Sequence, residues 1–576
     1  MAIVGLTLLI LFVFGITGGD SKRSSRPNII IIIADDLGWN DVSFHGSLQI
    51  PTPNLDALAY SGIMLNRHYT PPLCTPSRAS LMTGKHPINI GMQHHVIESD
   101  QPWGLGLDQK LMPQYFQEAG YKTRLVGKWH LGFFQKAYTP TQRGFESHFG
   151  YVGPYIDYWD HSLQMSNSST RGLDIRRDLE VDYTVNGTYA TDLFNSEAVR
   201  IVKDHNRTDP LFLVLTHLAP HAGNEDDPLQ APEEDVQRFS YIKNENRRVL
   251  AAMISRMDKG IGEVVRALKQ REMLDNSIIL FFSDNGAPSV GTHANSGSNF
   301  PLRGQKYSPW EGAVRTPAII WSPLLGTEGR ISNQWFHTSD WLPTLARVAQ
   351  IKNIPRGSAI DGVDQWRTLL DPTRNVRSVV LNNIDRIHHY SSFIKDGWKY
   401  VNGSSWDGKY DYWLGMIGTE DSISEEEYWA RVANSTVATV LLLDVEPLKE
   451  LRQNASISCE AHPSDIPCDP LKAPCIFNLI EDPCERNNTA VDHPDIVQKL
   501  GQEVQQYFTT AVEPRNKPSD PRSDPLYYNV TWTWWQDEPS SSSGVAVPVA
   551  IFVVAAITVG LLVAYVKRKL CPVKES

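Results

Sequence analysis

Short apolar runs alternate with amphipathic segments along most of the chain, and each pattern predicts an element. Asn28–Ala34 reads NIIIIIA, a continuous β-branched run of the kind that forms a strand buried on both faces of a parallel sheet. Residues 277–282 (SIILFF), 121–126, 211–215 and 317–321 predict further strands. Between them, residues 53–62 (PNLDALAYSG) predict a short helix. Residues 246–273 carry Leu250, Met253, Met257, Ile261, Val264, Val265 and Leu268 at helical spacing, the stripe of an amphipathic helix packed on a sheet. Residues 337–345 (HTSDWLPTL) predict the start of another helix, capped near Ser339. From about residue 385 the pattern changes to short aromatic strands, such as 392–401 (SFIKDGWKYV), with turn residues between them.

Two longer apolar stretches lie at the ends. Residues 2–18 close in small residues before a polar, basic segment, which predicts a signal peptide over 1–19; the lack of Lys or Arg ahead of the run leaves a retained anchor as the alternative. Residues 545–566 are long enough for the ~20 residues that span a bilayer. Lys567, Arg568 and Lys569 follow at once, which predicts a type I membrane protein with a cytosolic tail at 567–576. Small residues at 540–544 also allow a lipid-anchor signal, although such signals normally end in the apolar run, and Cys571 is either a palmitoylation site or a plain thiol.

Composition narrows the setting. With 576 residues and 41% hydrophobic content the chain buries a large core in more than one domain or subdomain. A net charge of −11 over both signs, with no long basic run in the body, argues against nucleic acid as a partner. Cys459, Cys468, Cys475 and Cys484 crowd into one segment, which fits two disulfides formed in an oxidising compartment. Asn167, Asn186, Asn206, Asn402, Asn434, Asn454, Asn487 and Asn529 all open glycosylation sequons, which favours the same compartment.

The candidate chemistry begins where strands end. Asp35 and Asp36 follow the isoleucine run, and Asp284 and Asn285 follow 277–282. Paired carboxylates at the carboxyl end of a buried strand repel each other and need a cation or a basic partner. An Asp pair in isolation is more often one cap and one solvated side chain; the recurrence after a second strand favours a shared site. All four donors are oxygen, which points to Ca²⁺ or Mg²⁺ over zinc, and to Ca²⁺ for an irregular cage. Three further stretches carry reactive types: CTPSRASLMTG at 74–84, GKWHLG with Lys128 and His130, and THLAPHAG with His217 and His221. Pro76 suits the first turn of a helix running toward Gly84, whose N-terminus favours an anion. Pro220 argues against a zinc-binding helix between the two histidines. Lys306 sits in LRGQKYSPWEGAVR at 302–315 and alone reads as a solvated lysine.

Cys74, Pro76 and Arg78 in CxPxR spacing resemble the signature of the sulfatase family, and GKWHLG resembles its second signature. The resemblance runs from about Pro27 to residue 530 and is greatest to the arylsulfatase B group, through LRGQKYSPWEG and DGVDQW at 361–366. It implies an α/β fold of the alkaline-phosphatase-like superfamily, with a mostly parallel central sheet flanked by helices and a small C-terminal antiparallel α+β subdomain. The domains expected are 27–385 (catalytic), 386–530 (C-terminal subdomain) and 531–544 (stalk).

The same resemblance implies that Cys74 is oxidised to formylglycine by a formylglycine-generating enzyme. One hydroxyl of the aldehyde hydrate then attacks the sulfur of a sulfate ester. It gives one Ca²⁺ held by Asp35, Asp36, Asp284, Asn285 and modified Cys74. Arg78 supports that residue and the carboxylates, Lys128, His130 and Lys306 contact sulfate or hydrate, and His221 protonates the leaving group. The implied substrate is a sulfated small molecule or glycan, with N-acetylgalactosamine-4-sulfate one candidate, hydrolysed in a lysosome or at the cell surface. Cys475 is expected to pair with Cys484 and Cys459 with Cys468. Two other functions fit the same scaffold: a phosphate or phosphonate ester hydrolase, which the cysteine disfavours, and a catalytically silent glycan-binding membrane protein.

Overall fold

The computed structural model describes Ser24 and residues 26–537, apart from 166–169, 327–328, 356, 416–420, 460 and 464. The expected signal peptide at 1–19, the apolar run at 545–566 and the tail at 567–576 lie outside the described residues. Among the described residues no helix is long and apolar enough to cross a membrane.

Ile29 to Ile33 are all 0–1% exposed, because the strand they form occupies the middle of a 10-stranded sheet. Five neighbouring strands run parallel: Ser277–Ser283, Asn28–Ala34, Leu211–Thr216, Lys122–Lys128 and Ser147–Tyr151. Beyond Ser277–Ser283 the sheet continues through Ala318–Trp321 and Ile63–Leu65, both pairings antiparallel, to Arg330–Ser332. The mostly parallel sheet expected from the β-branched runs is therefore present. The helix Glu245–Gln270 starts where the Asn244 side chain accepts from the Arg247 N–H, and its whole apolar stripe is buried. Burial of each large aliphatic side chain stabilises the fold by about 1.5–3 kcal/mol. The helix Trp341–Val348 is entered through a 3₁₀ turn, Thr338–Asp340, whose cap is the His337 ring rather than Ser339.

A second, four-stranded antiparallel sheet is built from Val379–Asp385, Tyr390–Lys395, Trp398–Asn402 and Cys475–Asn478. Its first strand lies ahead of the expected boundary at 385, since Val379–Asp385 hydrogen-bonds to the next strand and not to the large sheet. The helix Pro494–Thr510 covers this sheet, with Leu500 and Val504 against Phe393, Tyr400 and Ile476. Residues 386–530 do not stay together, however. The helices Glu425–Ala433 and Thr436–Leu441 return to the large domain and pack on Pro53–Ser61 and Glu245–Gln270. There the Tyr428 and Tyr60 hydroxyls lie 2.6 Å apart.

Two expectations near the C-terminus differ from the structure. The disulfides are Cys459–Cys484 and Cys468–Cys475, not Cys475–Cys484 and Cys459–Cys468. Cys475 opens a strand opposite Val401, and the chain runs on through that strand and a turn, which carries Cys484 away to a cluster with Trp39, Leu302 and Cys459. The second difference concerns the stalk expected from 531. Trp532, Trp534 and Trp535 are buried on the catalytic body, and the Trp532 indole N–H donates to the Leu163 carbonyl at 2.9 Å.

Candidate functional site

The site forms past the carboxyl ends of four adjacent parallel strands. Ala34 pairs with Ser283, Ile33 with Thr216 and Thr216 with Gly127, so the four strands stop nearly level. Asp35 and Asp36, Asp284 and Asn285, His221, and Lys128 with His130 emerge there together. Gly127 has φ +98°, and a Cβ on it would meet the Thr216 carbonyl oxygen at 1.8 Å, so glycine lets neighbouring strands close beside the lysine. Asp36 and His130 hold φ of 65° and 59°, left-handed backbone that costs a non-glycine residue about 1–3 kcal/mol. The Asn295 amide donates to the Asp36 carbonyl at 3.0 Å and holds that turn.

Cys74 is the first residue of the helix Cys74–Thr83, which Gly84 ends in left-handed conformation. Its Sγ lies 3.6 Å from Asp35 Oδ1. Around it three cations meet three carboxylates. Lys128 Nζ donates to Asp35 Oδ2 at 2.6 Å and Lys306 Nζ to Asp36 Oδ2 at 2.8 Å. Arg78 gives Nε and Nη2 to Asp284 Oδ2 at 3.0 and 2.8 Å, and Nη1 to the Lys128 carbonyl at 3.3 Å. Each of these side chains is at most 3% exposed, so none depends on solvent for its counter-charge. Such groups stay charged only when paired.

Burial pushes the Asp36 and Asp284 carboxyls above the usual carboxylate range, against the pull of Lys306 on the first and of Arg78, Lys128 and Lys306 on the second. Burial also works against charge on Lys306, yet Asp36 overrides it and holds the ammonium above the ordinary lysine range. The Cys74 thiol is pushed up by burial despite Lys128 and Lys306. As an unmodified thiol it is a poor nucleophile.

The donor set can hold a cation. Asp35, Asp36, Cys74 and His221 each place a ligand atom within 4.8 Å of the others. Asn285 adds a buried Oδ1 with no partner among the described residues, while its amide N–H₂ donates to Asp36 Oδ1 at 2.6 Å. Asp284 Oδ2 faces Arg78, and its Oδ1 accepts the Asp36 N–H at 3.3 Å.

Above these groups lies a cleft of about 180 Å³ whose lining includes Cys74, His130, His221 and Lys306. Asp35, Asp36, Arg78, Lys128, Asp284 and Asn285 are absent from its lining and form the layer beneath. Two larger grooves, of about 610 and 600 Å³, contain none of the expected site residues. His221 Nδ1 lies 2.6 Å from the Ala222 carbonyl and donates to it, which leaves Nε2, 3.5 Å from Asp36 Oδ2, as the other working nitrogen. Its ring stacks on Tyr155 at 5.5 Å between centroids. Burial, then Lys306 and Lys128, push His221 well below the usual histidine range; an anion placed among them offsets that. His130 is lowered in the same way, by burial and then Lys128 and Arg78, and its Nε2 meets the Ile97 carbonyl at 2.9 Å. His217 lies outside the cleft lining, fully buried and with neither ring nitrogen partnered among the described residues.

Glu98, Tyr155, His293, Trp406 and Tyr410 complete the cleft and were not expected. They stand in irregular segments without periodicity or a spaced motif, so only the folded chain brings them to Cys74.

The Sulfatase family model matches residues 27–351. The mouse (Mus musculus) protein named arylsulfatase J is 37% identical over 89% of this chain and 81% of its own length. Human (Homo sapiens) N-acetylgalactosamine-6-sulfatase is 30% identical over 61% of this chain and 67% of its own. Among solved structures, Ps i-CgsB in complex with k-i-k-neocarrahexaose superposes with a TM-score of 0.66 at 26% identity, covering 85% of this chain and 94% of that one.

Proposed function

Because the chain belongs to the sulfatase family and is a sulfuric ester hydrolase, we propose that Cys74 is converted to formylglycine and works beside a calcium ion on a sulfated sugar. The observation that carries the reading is the meeting of Cys74 with Asp35, Asp36 and Asp284 and their three cations under one cleft.

Asp35, Asp36, Asp284 and Asn285 would hold the ion, which supplies positive charge that polarises a sulfate oxygen and favours an ionised hydroxyl. A formylglycine at 74 supplies the attacking hydroxyl in its hydrated form. Lys306 neutralises sulfate charge from the cleft side, sharing its ammonium with Asp36. Lys128 fixes Asp35, and Arg78 fixes Asp284 while bonding the backbone that carries Lys128. With a bound sulfate offsetting Lys306 and Lys128, His221 would take a second proton at Nε2 for the leaving oxygen, while the Ala222 carbonyl holds its Nδ1–H and fixes the ring. His130, oriented by the Ile97 carbonyl, would contact the hydrate from the cleft lining. Tyr155, Tyr307, Trp406 and Tyr410 exclude water and offer faces on which a sugar ring stacks.

A sulfated galactosamine-type residue is supported by the names of the relatives and by that aromatic wall. Two disulfides and seven exposed sequon asparagines among the described residues support a lumenal or extracellular body. Its anchor is the apolar run at 545–566, supported by the run's length and by Lys567, Arg568 and Lys569.

The test is mass spectrometry of the peptide containing Cys74, joined to turnover of sulfated N-acetylgalactosamine. Conversion lowers the peptide mass by the difference between H₂S and O, and the converted protein releases sulfate. Unconverted thiol in folded, fully active protein would overturn the mechanism. Aldehyde with turnover of aryl sulfates alone would overturn the substrate.

A further inference from the structure

Outside the catalytic centre, a second group of metal-ligating side chains spans the seam between the large domain and the antiparallel sheet. His94, Asp385 and His388 each offer a ligand atom within 4.8 Å of the other two. We propose that they bind a transition-metal ion of the zinc class at the rim of the substrate cleft.

Three features distinguish the group from a surface ion pair. First, both sides are prepared. Asp385 closes the Val379–Asp385 strand and spends Oδ1 on the Ile387 and His388 backbone N–H groups at 2.8 and 3.0 Å, which leaves Oδ2 for the group. His94 Nδ1 meets that Oδ2 at 2.9 Å. The Asn516 side chain donates to the His94 carbonyl at 2.9 Å, and Asn383 donates to the Gln93 carbonyl at 3.0 Å, so the histidine's backbone is pinned on both flanks. Ligands held by surrounding hydrogen bonds lose little freedom on binding an ion.

Second, burial suits an ion that enters from solvent. Asp385 is 2% exposed and His94 15%, and His388, in the turn between strands, is half-buried. The ring centroids of His94 and His388 lie 4.9 Å apart, and their ligand atoms lie within 4.8 Å of each other, close enough to share one ion held at about 2.0–2.1 Å from each nitrogen. Third, the donor chemistry differs from that at Cys74. Two imidazoles and one carboxylate favour zinc-class ions, whereas the oxygen-rich set beneath the cleft favours calcium. Three protein ligands leave a coordination position open.

The placement links this ion to the cleft. His388 lies 5.6 Å from the Trp406 ring, and Trp406 and His95, the neighbour of His94, both line the cleft beside Cys74. Zinc here would tie the turn at 386–389 to the loop carrying His95 and fix one wall. The proposal does not depend on the state of Cys74.

The experiment titrates Zn²⁺, and Co²⁺ as a coloured substitute, into calcium-saturated full-length protein carrying Cys74→Ala, which removes that sulfur as a ligand. We expect one further ion, a cobalt spectrum of mixed nitrogen and oxygen ligation, and a raised thermal midpoint. His388→Ala should weaken binding by at least about tenfold, and His388→Asp, which restores a ligand, should recover most of it. Absence of a further ion at micromolar metal would overturn the site. Equal affinity in His388→Ala would overturn its ligand set.

Discussion

Lys306 and Asp36 stand 270 positions apart in the chain and 2.8 Å apart in the fold. Both are buried, so Lys306 keeps its charge through Asp36, and Asp36 through Lys306 or a bound cation.

Lys306→Ala is therefore expected to act twice. Turnover of an aryl sulfate should fall by about 10²–10³-fold, as when one stabilising donor is removed from a reaction site. In chelated protein the variant should also lose about 3–5 kcal/mol, since Asp36 is left buried and unpaired. Saturating calcium should recover much of that loss in a denaturant titration. The same loss with and without calcium would show that the ion does not share Asp36.

Chelation of the wild type should lower its thermal midpoint, and calcium at about 100-fold over its Kd should return about 2.7 kcal/mol. A midpoint insensitive to both would remove the ion from the carboxylate layer. Scanning calorimetry in chelator and in calcium decides it.

Much of this layer was legible in the sequence because its members follow buried strands or sit in spaced motifs. Asp35, Asp36, Asp284 and Asn285 follow two β-branched runs, and Cys74, Arg78, Lys128 and Lys306 lie in recognisable stretches. Tyr155, His293 and Trp406 were invisible, since a wall built from loops has no period to read. The disulfide pairing was invisible for a related reason. Four cysteines allow three pairings, and only the strand that separates Cys475 from Cys484 decides between them. Residues 425–441 read as part of the second unit, yet their apolar faces complete the first.

Arg78→Lys keeps the charge and loses the fork that reaches both Asp284 Oδ2 and the Lys128 carbonyl. The expected result is at least a tenfold loss of kcat with KM little changed, because the fork positions other groups and does not line the cleft. A pure KM effect would place Arg78 on the substrate instead.

A pH effect should come from the core. Burial raises the Asp56 carboxyl to about 7, against hydrogen bonds from the Ser43, Thr52 and Tyr428 hydroxyls. The folded state then holds a proton that the unfolded chain releases near the ordinary value of 3.8, so this stabilisation is complete below about pH 4 and is lost as pH rises toward 7. The slope approaches about 1.4 kcal/mol per pH unit within that window. Urea titrations at pH 5 and pH 7 should show a smaller difference for Asp56→Asn than for wild type, and an unchanged difference would place Asp56 in the ordinary range.

Peptide mapping without reduction should recover Cys459 with Cys484 and Cys468 with Cys475. The first closes a separation of 25 residues and the second one of 7, so Cys459→Ser should cost more, about 3 kcal/mol. Equal costs would show that the short link carries strain relief of its own.

Cys74 is 1% exposed, at the start of a helix whose every residue is buried. If Cys74 is converted as proposed, packing sets the order of events: a sulfur held this deep is out of reach of a second protein, so conversion would have to come before the helix docks, and a chain that folded first would keep its thiol.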